Sequence, residues 1–430
     1  MKILYLTHRF PPEHFRGTEV YTWELAREMQ RRGHNVLVVT LREMKKEETG
    51  LSMVRDSYAE VPVARICKHL RPDNFESYFF DAEMDKMFLD LTNEFQPDII
   101  HSTYFLGGLS LGMSLRAAEM GKLFITITDY SAICARGQLL DRNLKLCPGP
   151  RNGVRCLYCL FDRNWLFKNP GLDKWAREYL PIWIGRLKDV WELDLIRKRN
   201  QAIANILASA RSVIFAHPLT LLVFNREKIK LSHPRLLDFG VDYAPFREHK
   251  KNPSDRLRIG FIGQILPHKG LHILVEALAG IPEQTKFELK IYGSLSDPAE
   301  KTYFDSLSLS RIKNQNWLGT FDYSQMNKVL EEIDLLVVPS IWPENCPLIP
   351  KYALLTGTRL LLSDAPGILV KAGGQGIDFA GIGKVMMLRE KIEDLIKTQA
   401  WQGRLDPSAG LVMRIQDHAS ALERIYGGEG

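Results

Sequence analysis

The sequence predicts an α/β chain made of two doubly wound parallel sheets. Apolar runs such as "ILYLT" (3–7) and "VLVVT" (36–40) are continuous rather than alternating, which marks strands covered on both faces. Segments of helical period separate these runs, so strand and helix alternate along the chain. The same alternation restarts after residue 250, which makes two units of comparable size.

The first unit opens with the strand at 3–7, the loop "HRFPPEHFRGT", and a helix whose Tyr21, Leu25, Ala26 and Met29 share one face until Gly33 stops it. "VLVVT" follows as the second strand. "PDIIHST" (97–103) and "LFITITD" (123–129) are further strands, separated by the helical "LSLGMSLRAAEM". A cysteine-rich insertion spans about 131–162, a long helical region runs over 171–209, and "SVIFAH" returns to strand. "REHKKNPSDR" (247–256) is polar and turn-rich, as a linker should be. Beyond it come "LRIGFIG" as strand, "LHILVEALAG" as helix, "FELKIYG" as strand, "MNKVLEEI" as helix and "DLLVVPS" as strand. The expected domains are 1–245 and 246–408, with the amphipathic tail 409–430 as a separate helix.

A chain of 430 residues exceeds one compact core, and 45% hydrophobic with 25% charged residues is the composition of an ordinary globular protein. The formal charge of +6 is too dispersed to argue for nucleic acid, and no nucleic-acid partner is expected. No apolar run approaches the roughly 18 to 20 residues that span a bilayer. The opening apolar run is short and ends in His-Arg, which reads as a first strand rather than a signal peptide. A cytoplasmic location follows as an expectation. Residues 163–200 hold four of the eight tryptophans and more basic than acidic residues, a composition suited to peripheral membrane contact and equally to core packing.

Three strand-end loops carry candidate chemistry. Gly17 starts a helix whose free N–H groups favour an anion. Lys269 stands before another helix, where its ammonium adds to the positive end of the dipole and suits a diphosphate. Glu344 leaves a buried strand and is placed to cap a helix or to accept hydrogen bonds from substrate hydroxyls. In doubly wound sheets ligands bind at the carboxyl ends of strands, so a cleft between the two units is the expected site.

Cys134, Cys147, Cys156 and Cys159 form a Cys-x12-Cys-x8-Cys-x2-Cys series. Four thiolates would close a tetrahedral structural zinc site. An iron–sulfur cluster, and cysteines that are unligated or disulfide-linked, are the alternatives.

"HRFPPEHFRGTEVYTWELAREMQRRGHNV", "QPDIIHSTYFLG", "DFGVD", "IGFIGQILPHKGLHILVEAL" and "DLLVVPSIWPENCPLIPKYALLTGT" together resemble the family 4 glycosyltransferases, retaining enzymes of the GT-B fold. The resemblance implies two Rossmann-like domains, the first on the acceptor side and the second binding a nucleotide sugar, with the final helix packing back on the first. It implies transfer of a sugar from a nucleotide-diphosphate donor to a glycan or lipid-linked acceptor, with retention. It places Gly17 at the donor phosphates, Lys269 on the diphosphate and Glu344, with Asn345 beside it, at the transferred sugar. Asp129 joins Glu344 and Lys269 as a catalytic candidate. Three donor positions depart from the pattern: Gln264 replaces an arginine, Tyr352 replaces the second glutamate of the Glu-x7-Glu motif, and Thr128 replaces a histidine. These departures raise an alternative, a transfer-inactive relative that serves as a binding or scaffold subunit.

Overall fold

The computed structural model describes all residues except 45–48, 70–75, 142, 151–152, 161–190, 283, 369–375, 403–404, 406–411 and 429–430. The chain divides into two compact units, Met1–Asp238 with Ala419–Gly430, and Phe239–His418.

In the first unit the strands are β1 (Lys2–Leu6), β2 (Asn35–Glu43), β3 (Ser52–Tyr58), β4 (Val61–Lys68), β5 (Ile99–Ser102), β6 (Leu123–Ile127), β7 (Ser212–Phe215) and β8 (Pro234–Leu236). They form one sheet in the order β3-β4-β2-β1-β5-β6-β7-β8, parallel except for the antiparallel pair β3 and β4. The described helices are α1 (Gly17–Arg31), α2 (Ala82–Phe95), α3 (Leu111–Glu119), α4 (Val154–Leu160), α5 (Trp191–Ser209) and α6 (Pro218–Arg226). Ile3, Leu4, Tyr5 and Leu6 of β1 are all fully buried, as a continuous apolar run predicts for a strand covered on both faces. The β3–β4 hairpin was not legible in the sequence, because β3 is mostly exposed and "SMVRDSY" lacks an apolar run. Of the long helical region expected at 171–209, Trp191–Ser209 is helix and 171–190 lies outside the described residues.

The second unit contains β9 (Leu257–Ile262), α7 (Leu271–Leu278), β10 (Phe287–Tyr292), α8 (Pro298–Asp305), β11 (Gln315–Gly319), α9 (Met326–Glu331), β12 (Leu335–Val338), α10 (Leu348–Thr356), β13 (Arg359–Ser363), β14 (Ile377–Ala380) and α11 (Val385–Thr398). Its sheet order, β11-β10-β9-β12-β13-β14, is parallel throughout and reverses direction of travel between β9 and β12. Those two strands pair at only two positions, Leu335 with Ile259 and Leu336 with Gly260. Below that point Arg258 grips Asp334 through Nε (3.0 Å) and Nη2 (2.9 Å), both residues being buried. The strands are therefore clamped at their amino ends and separate toward their carboxyl ends, where a doubly wound sheet opens its ligand crevice.

The last helix, α12 (Ile415–Tyr426), ends within the first unit. Arg32 donates to Glu423 (3.0 and 2.6 Å), and His34 Nε2 lies 2.7 Å from the same carboxylate. Deeper in, the Tyr426 hydroxyl meets His101 Nδ1 at 2.5 Å, and His101 Nε2 meets the Thr126 hydroxyl at 2.8 Å. These contacts tie the chain terminus to α1, β5 and β6.

Candidate active site

In the second unit, the loops leaving the switch-point strands bring two predicted residues together. After β9, Pro267–Lys269 forms one 3₁₀ turn, and Gly270 (φ +76°) precedes α7. A Cβ at Gly270 would stand 1.9 Å from the Pro339 carbonyl oxygen, so only glycine lets this loop pack on the one after β12. The Ile341 N–H donates to the His268 carbonyl at 2.9 Å and joins the two loops. Lys269 Nζ then reaches Glu344 Oε1 at 2.9 Å and Oε2 at 3.1 Å. It also sits 4.7 Å above the Trp342 ring, a cation–π contact.

Glu344 is 3% exposed and Lys269 keeps more solvent contact, so the carboxylate is the fixed partner of the pair. The Ser340 hydroxyl donates to Glu344 Oε1 at 2.5 Å. Backbone contacts hold the same segment: Glu344 N–H donates to Pro366 (2.8 Å) and Cys346 N–H to Gly367 (2.9 Å). A Cβ at Gly367 (φ +83°) would be 1.9 Å from the Glu344 carbonyl oxygen. Ser340, Trp342, Gly270 and Gly367 were missed by sequence reasoning. The "PS" that follows β12 and the glycine after Lys269 were the available signals; Gly367 had none, because its role depends on a contact across the loop.

Asn345 is buried next to Glu344, and Gln264 follows β9 by two residues and is half-buried. Tyr352, in the middle of α10, is 1% exposed; its ring stacks on Phe246 (centroids 5.2 Å, 22°) and meets Tyr323 edge-on at 5.8 Å. The side chain that stands in the place of the second glutamate is thus part of an aromatic core.

In the first unit, sheet order reverses about β1, which lies between β2 and β5. Gly17 begins α1 after an extended Arg16, and a Cβ there would meet nothing within 4 Å, so packing does not demand the glycine. The preceding loop is electropositive. Burial, Arg9 and Arg16 together hold the His14 imidazole down to about 4, which keeps it neutral. Thr128 donates its hydroxyl to the Thr103 carbonyl at 3.0 Å and fastens the end of β6 to that of β5. Asp129 accepts from the Tyr104 hydroxyl (3.1 Å) and the Ser131 N–H (2.8 Å), and burial raises its carboxyl above the usual range.

Cys134, Cys147, Cys156 and Cys159 all line one small pocket with Ile133 and Leu139. Among the described residues, however, no group of three or more His, Cys, Asp or Glu side chains is arranged to hold a metal ion. Neither the expected zinc nor the iron–sulfur cluster is supported. Burial pushes Cys156 up to about 12 and raises Cys147 and Cys159 above the usual thiol range as well. Most of the segment expected at a membrane surface, 163–190, lies outside the described residues. Among the described residues no helix is long and apolar enough to cross a membrane.

The family model for "Glycosyltransferase Family 4" matches residues 15–128, and that for "Glycosyl transferases group 1" matches residues 242–409, together about two thirds of the chain. The chain belongs to the family 4-like glycosyltransferases. The group 1 match contains Gln264, Lys269, Glu344 and Tyr352, and the family 4 match contains Gly17 and ends at Thr128. Among solved structures, sucrose-phosphate synthase from Thermosynechococcus elongatus is 15% identical, with 99% of this chain and 98% of that one covered and a TM-score of 0.69. HepE from Anabaena, solved with UDP and glucose, is 16% identical with 99% of each chain covered and a TM-score of 0.65. An α,α-trehalose-phosphate synthase from Burkholderia xenovorans is 10% identical with both chains fully covered and a TM-score of 0.65. These similarities establish the GT-B fold of this glycosyltransferase, with its two Rossmann-like parallel-sheet domains. A search of curated proteins finds no match.

Proposed function

We propose that this glycosyltransferase takes a sugar from a nucleoside-diphosphate donor and passes it, with retention, to a hydroxyl of a glycan or lipid-linked acceptor in polysaccharide, glycolipid or glycan assembly in the cytoplasm. The observation that carries the donor reading is the Lys269–Glu344 pair at the switch point between β9 and β12. Lys269 supplies the cation for a leaving diphosphate, whose developing charge a fixed ammonium stabilises more than water does. Glu344, held by Ser340 through its carboxylate and by the Pro366 carbonyl through its backbone N–H, supplies a carboxylate for the hydroxyls of the transferred sugar. Without donor the two side chains neutralise each other; a bound donor offers its phosphate to one and its hydroxyls to the other. Gln264 gives the diphosphate a hydrogen-bond donor without a second full charge. The leaving phosphate is the base nearest the acceptor proton in this reading.

UDP, GDP and ADP and their glucose or mannose conjugates form the test panel, with UDP first because HepE was solved with it. Thermal stabilisation by at least one nucleotide, lost in Lys269→Ala, is expected. Glu344→Gln is expected to lower turnover by 100-fold or more, about 2.7 kcal/mol. Stabilisation by no nucleotide or nucleotide sugar overturns the donor reading and favours a scaffold role.

A further inference from the structure

Four chemistry-bearing side chains from four separate segments form one array at the carboxyl ends of β1, β5 and β6. Glu19, in the first turn of α1, lies with Oε1 3.7 Å from Nε2 of His8, the second residue after β1. His8 packs on Tyr104 with ring centroids 4.0 Å apart, and Tyr104 donates its hydroxyl to Asp129. Gly107 closes the other side of His8: a Cβ there would be 2.8 Å from the imidazole Cδ2. The imidazole is thus clamped between a carboxylate, a phenol ring and a backbone turn.

Glu19 is 1% exposed and its carboxylate has no side-chain hydrogen bond; His8 Nδ1 is buried without a hydrogen-bond partner among the described residues. Apolar side chains of similar volume would pack there at lower cost. Buried polar atoms left unsatisfied at the end of a sheet where ligands bind call for a functional account. Burial moves three of the groups in the same sense: it holds His8 far below the usual imidazole range and raises Glu19 and Asp129, so each is driven toward its neutral form.

We propose that Glu19, His8 and Tyr104 are positioning residues that hold Asp129 to accept a hydrogen bond from a hydroxyl of the sugar acceptor. The proposal rests on the glycosyltransferase reading for what the hydroxyl belongs to, and assigns to the first unit a polyol-recognising group that it builds by itself. Glu19 stands against the ring of His8, His8 supports the Tyr104 ring, and with the Tyr104 hydroxyl on Oδ2 and the Ser131 N–H on Oδ1 of Asp129, the ligand hydroxyl takes a second lone pair of this fixed carboxyl.

The test is nuclear magnetic resonance of the full chain labelled with ¹⁵N-histidine, with the His8 ring signals identified by their loss in His8→Gln. Glucose, galactose, mannose and glycerol are the probes. At least one sugar should move the His8 signals saturably, and Asp129→Asn should weaken that response at least tenfold. Glu19→Gln should shift the His8 signals before any sugar is added, and Tyr104→Phe should uncouple His8 from the sugar response. His8 signals that ignore Glu19→Gln, or that no probe moves, overturn the proposal. Far-ultraviolet circular dichroism confirms that each variant folds, and Glu19→Asp, which keeps the carboxyl, should restore the wild-type signals. A chain that binds UDP but no sugar probe refutes this inference alone; one whose His8 responds to sugar while no nucleotide stabilises it refutes the donor reading instead.

Discussion

Replacing Tyr352 with glutamate recreates the second carboxylate of the Glu-x7-Glu motif in the wrong surroundings. Its ring is 1% exposed and lies between Phe246 and Tyr323. The substitution removes two aromatic pairs worth about 0.5–1.5 kcal/mol each. Part of the cost of a large-to-small change, about 3–5 kcal/mol when an aromatic is cut back to alanine, is added because glutamate refills the space poorly. The new carboxyl must also enter the core neutral. A loss of about 4 kcal/mol is expected, at the upper end of what single substitutions do. Tyr352→Phe keeps both ring contacts and should stay within about 1.5 kcal/mol of wild type. Urea unfolding followed by near-ultraviolet circular dichroism measures both variants, and calorimetry measures UDP affinity. If Tyr352→Glu unfolds like wild type and binds UDP more tightly, the side chain faces ribose and the aromatic packing argument is wrong.

Acidification should release the final helix. Arg32 and His34 hold the Glu423 carboxylate down to about 2, against an ordinary 4.5, and burial only partly opposes them. Because the folded value is depressed, this stability is present above about pH 4.5 and is lost as pH falls toward 2; after screening of a pair about a quarter exposed it amounts to about 1–2 kcal/mol. Glu423→Gln should flatten the acid limb of the stability curve, and an unchanged limb would refute the assignment. Tyr426→Phe removes the hydroxyl at His101 Nδ1 and should cost about 1–3 kcal/mol in unfolding free energy. Ser340→Ala should cost about 1.5–3 kcal/mol, the range for hydrogen bonds to charged groups, and lower turnover with it. Gly367→Ala should displace the Glu344 backbone and reduce both melting temperature and turnover; full activity in that variant would show that the loop tolerates movement.

Much of the fold was legible because buried parallel strands require unbroken apolar runs, and these mark β1, β2, β5, β6, β9, β10 and β12 directly. The exposed β3 and β11 escaped notice, since partners at a sheet edge supply backbone hydrogen bonds without requiring apolar side chains. Lys269 and Glu344 were readable from their places at strand ends. Their 2.9 Å contact was not, because it depends on β9 and β12 being neighbours although 72 residues separate the end of one from the start of the other.

By itself the sequence determined the alternation of strand and helix, the two-unit plan and the identity of the lysine and glutamate at the switch point, because local periodicity and strand-end position are written along the chain. Only the tertiary structure decided that Tyr352 turns into an aromatic core, that the four cysteines line one pocket, and that Glu19 and His8 stand behind Tyr104 and Asp129. Those outcomes depend on which residues, distant in sequence, are packed together and shielded from water, and burial then sets the protonation and the contacts that spacing along the chain does not reveal.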